Sequence, residues 1–203
     1  MIKKSSKIKF LIGIDEAGRG ALAGPVAVGF LAWPTVGEKL GKVFGDYPVG
    51  RDSKKLSAKQ RDYWFLQIKK RAEKRGAFFG TSLISHKIID DKGINFAIRQ
   101  GIKKCLEKVP ASGQEVAVLL DGGLHAPTEY SNQQTIIKGD EKELIISLAS
   151  IVAKVLRDRE MIKLSKKYPN HYLHQHKGYG TRLHYQKIVE FGALVIHRRT
   201  YLS

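Results

Sequence analysis

Ile12-Gly13-Ile14-Asp15-Glu16-Ala17-Gly18-Arg19-Gly20-Ala21-Leu22-Ala23-Gly24-Pro25 is the stretch around which the chain is organised. An apolar run, Phe10 to Ile14, leads into two adjacent carboxylates and then into a glycine-flanked arginine. A short apolar run bounded by turn residues is the pattern of a buried strand. Asp15 then falls at the strand's end or just inside the sheet, where a carboxylate needs a partner or a metal. An acidic strand end followed by a plain glycine loop fits the same residues, so the rest of the chain has to decide. Two familiar glycine motifs are excluded. The dinucleotide fingerprint needs G-x-G-x-x-G, whereas Gly18, Gly20 and Gly24 are spaced G-x-G-x-x-x-G. The phosphate loop needs Lys-Ser/Thr after its second glycine, and here Arg19-Gly20 follow Gly18. Acid, small loop and arginine remain, a set suited to a hydrated divalent cation beside a phosphodiester.

With 203 residues, one domain or one domain with a small appendage is expected, and 42% hydrophobic content is ample for its core. The 36 basic against 19 acidic residues give a formal charge of +17, which points to a polyanionic partner, most often nucleic acid. Generic solubility is the blander account of the same charge. Cys105 is the single cysteine, so no intramolecular disulfide forms and a reducing compartment fits. The basic start, Met1 to Lys9, precedes an apolar stretch too short for a signal peptide, and no stretch approaches a membrane span. A cytoplasmic protein with no membrane partner is the expectation.

Along the chain, Val26 to Leu31 reads as a second strand hairpinned to the first, and Trp33 to Asp52 as a Gly- and Pro-rich loop. Ser57 and Gln60 form a capping box before a helix from Ala58 to about Arg75, with Trp64, Ile68 and Ala72 on its inner face. Ala77 to Ile84 reads as a third strand. A helix from Ile94 to Glu107 places Ile98, Ile102 and Cys105 on one stripe, so Cys105 is a core residue rather than a nucleophile. Val116 to Leu120 is a strand ending in Asp121, and Thr135-Ile136-Ile137 is an apolar run leading to Asp140. The long helix from about Glu143 to Lys167 carries Leu144, Leu148, Ile151, Val155 and Ile162 on one stripe, with Asp158 among them. A charge there needs a partner, and a structural pair is favoured over a metal role. Thr181 caps a last short helix to Glu190. Early strands on short connections favour antiparallel pairing, and later ones separated by helices favour parallel pairing. The expected fold is α/β, a mixed sheet flanked by helices, with acids from different strand ends converging on one edge.

Asp15, Glu16, Asp121 and Asp140 are all-oxygen ligands with no His or Cys at chelating spacing among them. Such hard ligands select Mg²⁺ or Mn²⁺ over Zn²⁺. A cluster of carboxylates repels itself unless cations intervene, and two ions about 3.5–4 Å apart clamp the attacking water and leaving oxygen of a phosphodiester. Carboxylate pairs also serve glycosidases, but the basic excess argues for a polyanion. His174 and His176 are read as surface residues near phosphate in preference to a zinc site.

These residues carry a resemblance. Asp15-Glu16-Ala17-Gly18-Arg19-Gly20, Asp52-Ser53-Lys54-Lys55-Leu56-Ser57, Asp121-Gly122, Lys138-Gly139-Asp140, Ala149 to Arg159 and His176-Lys177-Gly178-Tyr179 resemble ribonuclease HII, in that family's order over nearly the whole chain. The resemblance implies a ribonuclease H-like sheet in a single domain, residues 1–203, with a helical C-terminal segment from about 165 to 203. It implies metal-dependent endonucleolytic cleavage of RNA in RNA–DNA hybrids and at single ribonucleotides embedded in duplex DNA, leaving 3′-hydroxyl and 5′-phosphate ends. By the matching motifs, Asp15, Glu16, Asp121 and Asp140 are the catalytic metal ligands of a two-metal Mg²⁺ or Mn²⁺ site. Gly18, Arg19 and Gly20 form the loop that senses the ribose 2′-hydroxyl, and Tyr179 packs on the neighbouring sugar. Lys54, Lys55 and Lys177 are nucleic-acid contacts by resemblance and charge. A monomer is expected. The sequence shows neither the longer C-terminal extension of some relatives nor the added N-terminal domain of the ribonuclease HIII branch. A non-catalytic nucleic-acid binder of the same fold is the rival reading, and loss of one carboxylate would favour it. Another ribonuclease H-like nuclease would share the acids but not the Gly-Arg-Gly loop or Tyr179.

Overall fold

The computed structural model describes residues 7–48 and 56–202. A five-stranded mixed sheet in the order β3-β2-β1-β4-β5 forms its centre. The strands are β1 (Phe10–Ala17), β2 (Val26–Pro34), β3 (Phe78–Ile84), β4 (Val116–Asp121) and β5 (Gln133–Ile136). β1, β2 and β3 pair antiparallel, while β4 runs parallel to β1 and β5 parallel to β4. The short connection between β1 and β2 gives an antiparallel pair, as the segment order implies, whereas β3 returns antiparallel to β2 only after residues 35–77. β4 and β5 pair parallel across a loop, residues 122–132, with no helix between them. The Gln133 side chain organises that loop instead, accepting from the Ala126 N–H at 2.8 Å and donating to the Tyr130 carbonyl at 3.0 Å.

Eight α-helices accompany the sheet among the described residues: α1 (Leu40–Val43), α2 (Ala58–Glu73), α3 (His86–Lys92), α4 (Ile94–Leu106), α5 (Gly139–Lys142), α6 (Leu144–Lys167), α7 (Leu173–His176) and α8 (Arg182–Phe191). Alternation along β1 sends Ile12 and Ile14 to the face covered by α4, where they join Ile98, Ile102 and Cys105. Leu11, Gly13 and Asp15 face the other way. There α6 lies so close that a Cβ on Gly13 would fall 2.3 Å from the Ile145 carbonyl oxygen. That close approach brings the α6 side chains up to Asp15.

The Ser57–Gln60 capping box forms as expected, and Trp64, Ile68 and Ala72 of α2 are buried. The segment read as an open loop after Trp33 is pinned by its aromatics: Phe44 and Tyr47 are buried in one cluster with Trp33 and Trp64, and α1 lies within it. α3 was not expected; Gly93, at φ 80, separates it from α4 and breaks the periodic pattern between them. The α6 stripe also needs correcting. Ile162 is 41% exposed and Met161 is buried in its place. The first half of α6 lies between the sheet and α2, whereas its second half leaves the sheet and turns Met161 toward Ala23, Leu173 and Ile196. Those contacts tie the helical C-terminal part to the loop after β1.

Candidate active site

Asp15 lies within β1, opposite Gly29 of β2, on the α6 face. Its Oδ1 accepts the Glu16 N–H at 2.7 Å, and Lys154 Nζ of α6 lies 3.8 Å from its Oδ2. Asp121 ends β4, and its Oδ1 accepts from the Gly139 N–H at 2.6 Å. Asp140 does not follow a strand end directly, as the apolar run before it suggests. β5 stops at Ile136, Lys138 turns the chain in the left-handed region at φ 55, and Asp140 belongs to the first turn of α5. The turn folds Asp140 back over Asp121. One ligand oxygen each from Asp15, Asp121 and Asp140 then lies within 4.8 Å of the others. Glu16, next to Asp15 on the strand, projects from the opposite side. It lines the same cleft without belonging to that group of three, and its Oε1 lies 3.6 Å from Arg19 Nη1.

Burial pushes the Asp15 carboxyl up to about 7, with the Glu16 and Asp121 charges adding to the rise and Lys154 opposing it. Glu16 is also raised, by burial and by Asp121, against the pull of Arg19. A buried carboxylate cluster with excess negative charge and all-oxygen donors fits a hard divalent cation. Lys154 was missed as a site residue by sequence reasoning. A lysine inside the apolar run Ile145 to Leu156 needs a nearby anion, and that was the available signal.

Asp15, Glu16 and Asp121 floor a cleft of about 370 Å³ whose wall includes Gly18, Arg19, Gly20 and Tyr179. Two buried arginines shape this wall. Arg198 donates from Nη2 to the Gly18 carbonyl at 2.8 Å, from Nη1 to the Arg19 carbonyl at 2.8 Å and from Nε to the Gly24 carbonyl at 3.1 Å. In a trans peptide the N–H points opposite to the C=O of the same unit. With the Gly18 and Arg19 carbonyls drawn inward to Arg198, the N–H groups of Arg19 and Gly20 point away from that guanidinium. Arg157 donates to the Pro25 carbonyl at 3.0 Å and lies 5.0 Å from the centre of the Tyr179 ring. Backbone pairing completes the frame: the Leu22 N–H donates to Gly178 O, the Gly24 N–H to Ile196 O and the Arg198 N–H to Leu22 O. A Cβ on Gly20 would meet nothing within 4 Å, so that glycine leaves its outer side open.

Tyr179 is 39% exposed, which places it on the cleft wall and not in the core. Lys177 lies outside the residues lining the cleft; its ammonium donates to the His174 carbonyl, and its charge opposes the rise that burial gives the Asp158 carboxyl. Lys54 and Lys55 fall outside the described residues. Asp158 takes the structural role: Arg61 of α2 lies 3.7 Å away, and Asp158 is not part of the carboxylate group. His174 is exposed beside Ser165, but His176 is not the surface residue expected. It is buried and stacks on His184 at 4.0 Å. The Leu194 N–H donates to His197 Nδ1 at 2.7 Å, which puts the His197 proton on Nε2. That N–H donates to His184 Nε2 at 3.0 Å, and His184 Nδ1–H donates to the Tyr179 carbonyl at 3.0 Å. A chain of neutral imidazoles thus ends on the backbone of Tyr179.

A family model described as ribonuclease HII matches residues 12–202. The ribonuclease HII of Caldicellulosiruptor bescii is 38% identical over 96% of this chain and 87% of that protein. The one from Dehalococcoides mccartyi is 40% identical over 94% of this chain and 84% of its own. Among solved structures, ribonuclease H2 from Pyrococcus horikoshii superposes with a TM-score of 0.70 at 25% identity, covering 94% of this chain and 93% of that one. The mixed sheet with its flanking helices is the ribonuclease H-like fold. A match across nearly the whole chain, with the motif acids gathered at one cleft, leads to one assignment: the chain belongs to the ribonuclease HII family and is a type 2 ribonuclease H, a phosphodiester hydrolase.

Proposed function

We propose that this chain is a metal-dependent endoribonuclease that cuts the RNA strand of RNA–DNA hybrids and cuts at single ribonucleotides in duplex DNA, leaving 3′-hydroxyl and 5′-phosphate ends. The observation that carries the reading is the convergence of Asp15, Asp121 and Asp140, with ligand oxygens within 4.8 Å, beside a glycine loop whose N–H groups face away from the protein's own arginine. Mg²⁺ or Mn²⁺ ions held by these three carboxylates and Glu16 would supply Lewis-acid stabilisation of phosphate charge and a more acidic water. The chain's own groups do the rest. Lys154 orients Asp15 from α6. The ribose 2′-hydroxyl is both donor and acceptor and marks RNA in the minor groove. The outward N–H groups of Arg19 and Gly20 are donors for it, and the bare Gly20 lets a sugar come close. Tyr179 offers a ring face to the next sugar, which need not carry a hydroxyl. A loop that reads one hydroxyl and no base edge suits a cut that ignores sequence.

The test is an assay on duplex DNA carrying one ribonucleotide and on an RNA–DNA hybrid, with and without Mg²⁺ or Mn²⁺, with product ends mapped by ligation. Ion-dependent cleavage of both substrates, with ligatable ends after the 5′-phosphate is confirmed, is expected. Tight duplex binding without cleavage under either ion would replace this reading with that of a non-catalytic binder. Cleavage of all-DNA junctions at equal rates would point to a different nuclease of the same fold.

A further inference from the structure

Past Arg19 the cleft continues along α4. A depression of about 290 Å³ is lined by Arg19, Asn95, Arg99 and His125, and a second of about 470 Å³ shares Arg99 and His125 and adds Phe96 and Lys103. No carboxylate lines either one. Asn95, Arg99 and Lys103 recur at four-residue steps, so they form one row on the outer face of α4. Ile98 and Ile102 flank this row, buried at the floor of the first depression. The row begins at the active site, because Arg19 Nη2 donates to Asn95 Oδ1 at 2.9 Å.

Three other arginines are engaged in ion pairs. Arg71 pairs with Asp46, Arg75 with Glu38 and Arg159 with Asp62. Arg99 and Lys103 are exposed and enter no ion pair among the described residues. Two uncompensated cations in an acid-free groove that opens from the catalytic cleft are complementary to a phosphate backbone. The row from Asn95 to Lys103 spans about 12 Å at 1.5 Å per residue, the axial length of about three to four base pairs.

We infer that this groove holds the sugar–phosphate backbone of the duplex beyond the cleavage site, with Arg99 and Lys103 on its phosphates and Asn95 linking the track to Arg19. The inference rests on the proposed substrate. It adds a duplex-length requirement on one side of the cut, which the catalytic residues alone do not impose.

The test measures binding by fluorescence anisotropy in Ca²⁺, which suppresses turnover, across a salt series. Wild type is compared with Arg99→Ala/Lys103→Ala and with Lys70→Ala/Lys74→Ala, which removes the same charge from exposed positions at the far side of the sheet. The groove variant is expected to flatten the slope of log affinity against log salt by about 2, one phosphate per cation. The control variant should leave the slope within experimental error of wild type. Removing about four base pairs from one end of the duplex should weaken wild type and leave the groove variant unchanged, while trimming the other end should affect both alike. The groove variant should keep the wild-type melting temperature and far-UV circular dichroism, which shows that it folds. An unchanged slope in the groove variant, or an equal fall in both variants, overturns the groove while leaving the proposed activity intact. A wild type that binds no duplex overturns both.

Discussion

A Cβ placed on Gly18 would lie 1.9 Å from Nε of Arg157. Gly18 is therefore glycine for an internal reason: the buried guanidinium passes against it, and its φ of +85 adds a second demand. Gly20, two residues on, has no internal reason, since its Cβ would enter open space. The two substitutions should then behave differently. Gly18→Ala should lower the melting temperature, by about 2–4 kcal/mol of stability, and cut activity on every substrate. Gly20→Ala should melt within about 0.5 kcal/mol of wild type yet lose activity, because the methyl occupies the space a sugar needs. Equal melting temperatures for the two variants would contradict this division.

Asp15→Asn should abolish cleavage and, without metal, raise stability. The carboxylate is buried, is pushed up to about 7, and faces two more acids. Neutralising it relieves that repulsion, though Lys154 loses part of its partner. The expected gain is about 1–2 kcal/mol, or roughly 2–8 °C. Thermal melts at pH 8 in chelator check the gain. Added Mn²⁺ should raise the wild-type melting temperature and leave that of Asp15→Asn nearly unchanged. Near-normal turnover by the variant in saturating metal would remove Asp15 from the site.

Acid should unlatch the C-terminal part first. The fold holds the His184 imidazole down to about 4, mainly by burial and then by His176. The unfolded chain takes up that proton near 6.5. The unfolded state therefore binds more protons between about 4 and 6.5, so stability is full above 6.5 and falls as pH drops through that window. The slope should be about 1 kcal/mol per pH unit there. Burial lowers His176 and His197 as well, which steepens the fall. His184→Gln, which cannot take the proton, should start less stable and show a flatter profile in urea melts. A wild-type profile that is flat from pH 7 to 4.5 would count against the neutral imidazole chain.

Tyr179→Ala should cost far more activity on a single-ribonucleotide duplex than on an all-RNA hybrid strand, with melting changed by under about 1 kcal/mol. Its ring is 39% exposed and stacks on Arg157, so little core packing is lost. Tyr179→Phe keeps the ring face and should stay close to wild type on both. Equal losses on the two substrates with a large fall in melting temperature would make Tyr179 a packing residue.

What the sequence disclosed, and what it did not, divides along physical lines. Strand and helix periodicity, the Ser57–Gln60 box and the core role of Cys105 are local or one-face properties, and they are readable from spacing. The four acids could be named because a carboxylate after an apolar run is conspicuous. How Asp140 reaches Asp121 could not, since it depends on a left-handed Lys138 that has no compositional mark. The wall-shaping roles of Arg157 and Arg198 escaped notice for another reason: their partners are backbone carbonyls, which every residue carries. Met161 replaces Ile162 in the core because α6 changes neighbours midway, and a single helical stripe cannot show that. The histidines at 171, 176, 184 and 197 meet only after three turns of chain have folded together.

The Arg198 grip on Gly18 joins positions 180 residues apart. A polypeptide made at 5–20 residues per second emerges with its catalytic loop roughly ten to forty seconds before the residue that sets that loop's shape. Throughout that interval Asp15 and the Gly-Arg-Gly segment exist on the nascent strand without the frame that turns their amides outward. Translation therefore imposes its own timing on this nuclease, withholding the finished cleft wall until nearly all of the described chain has been synthesised.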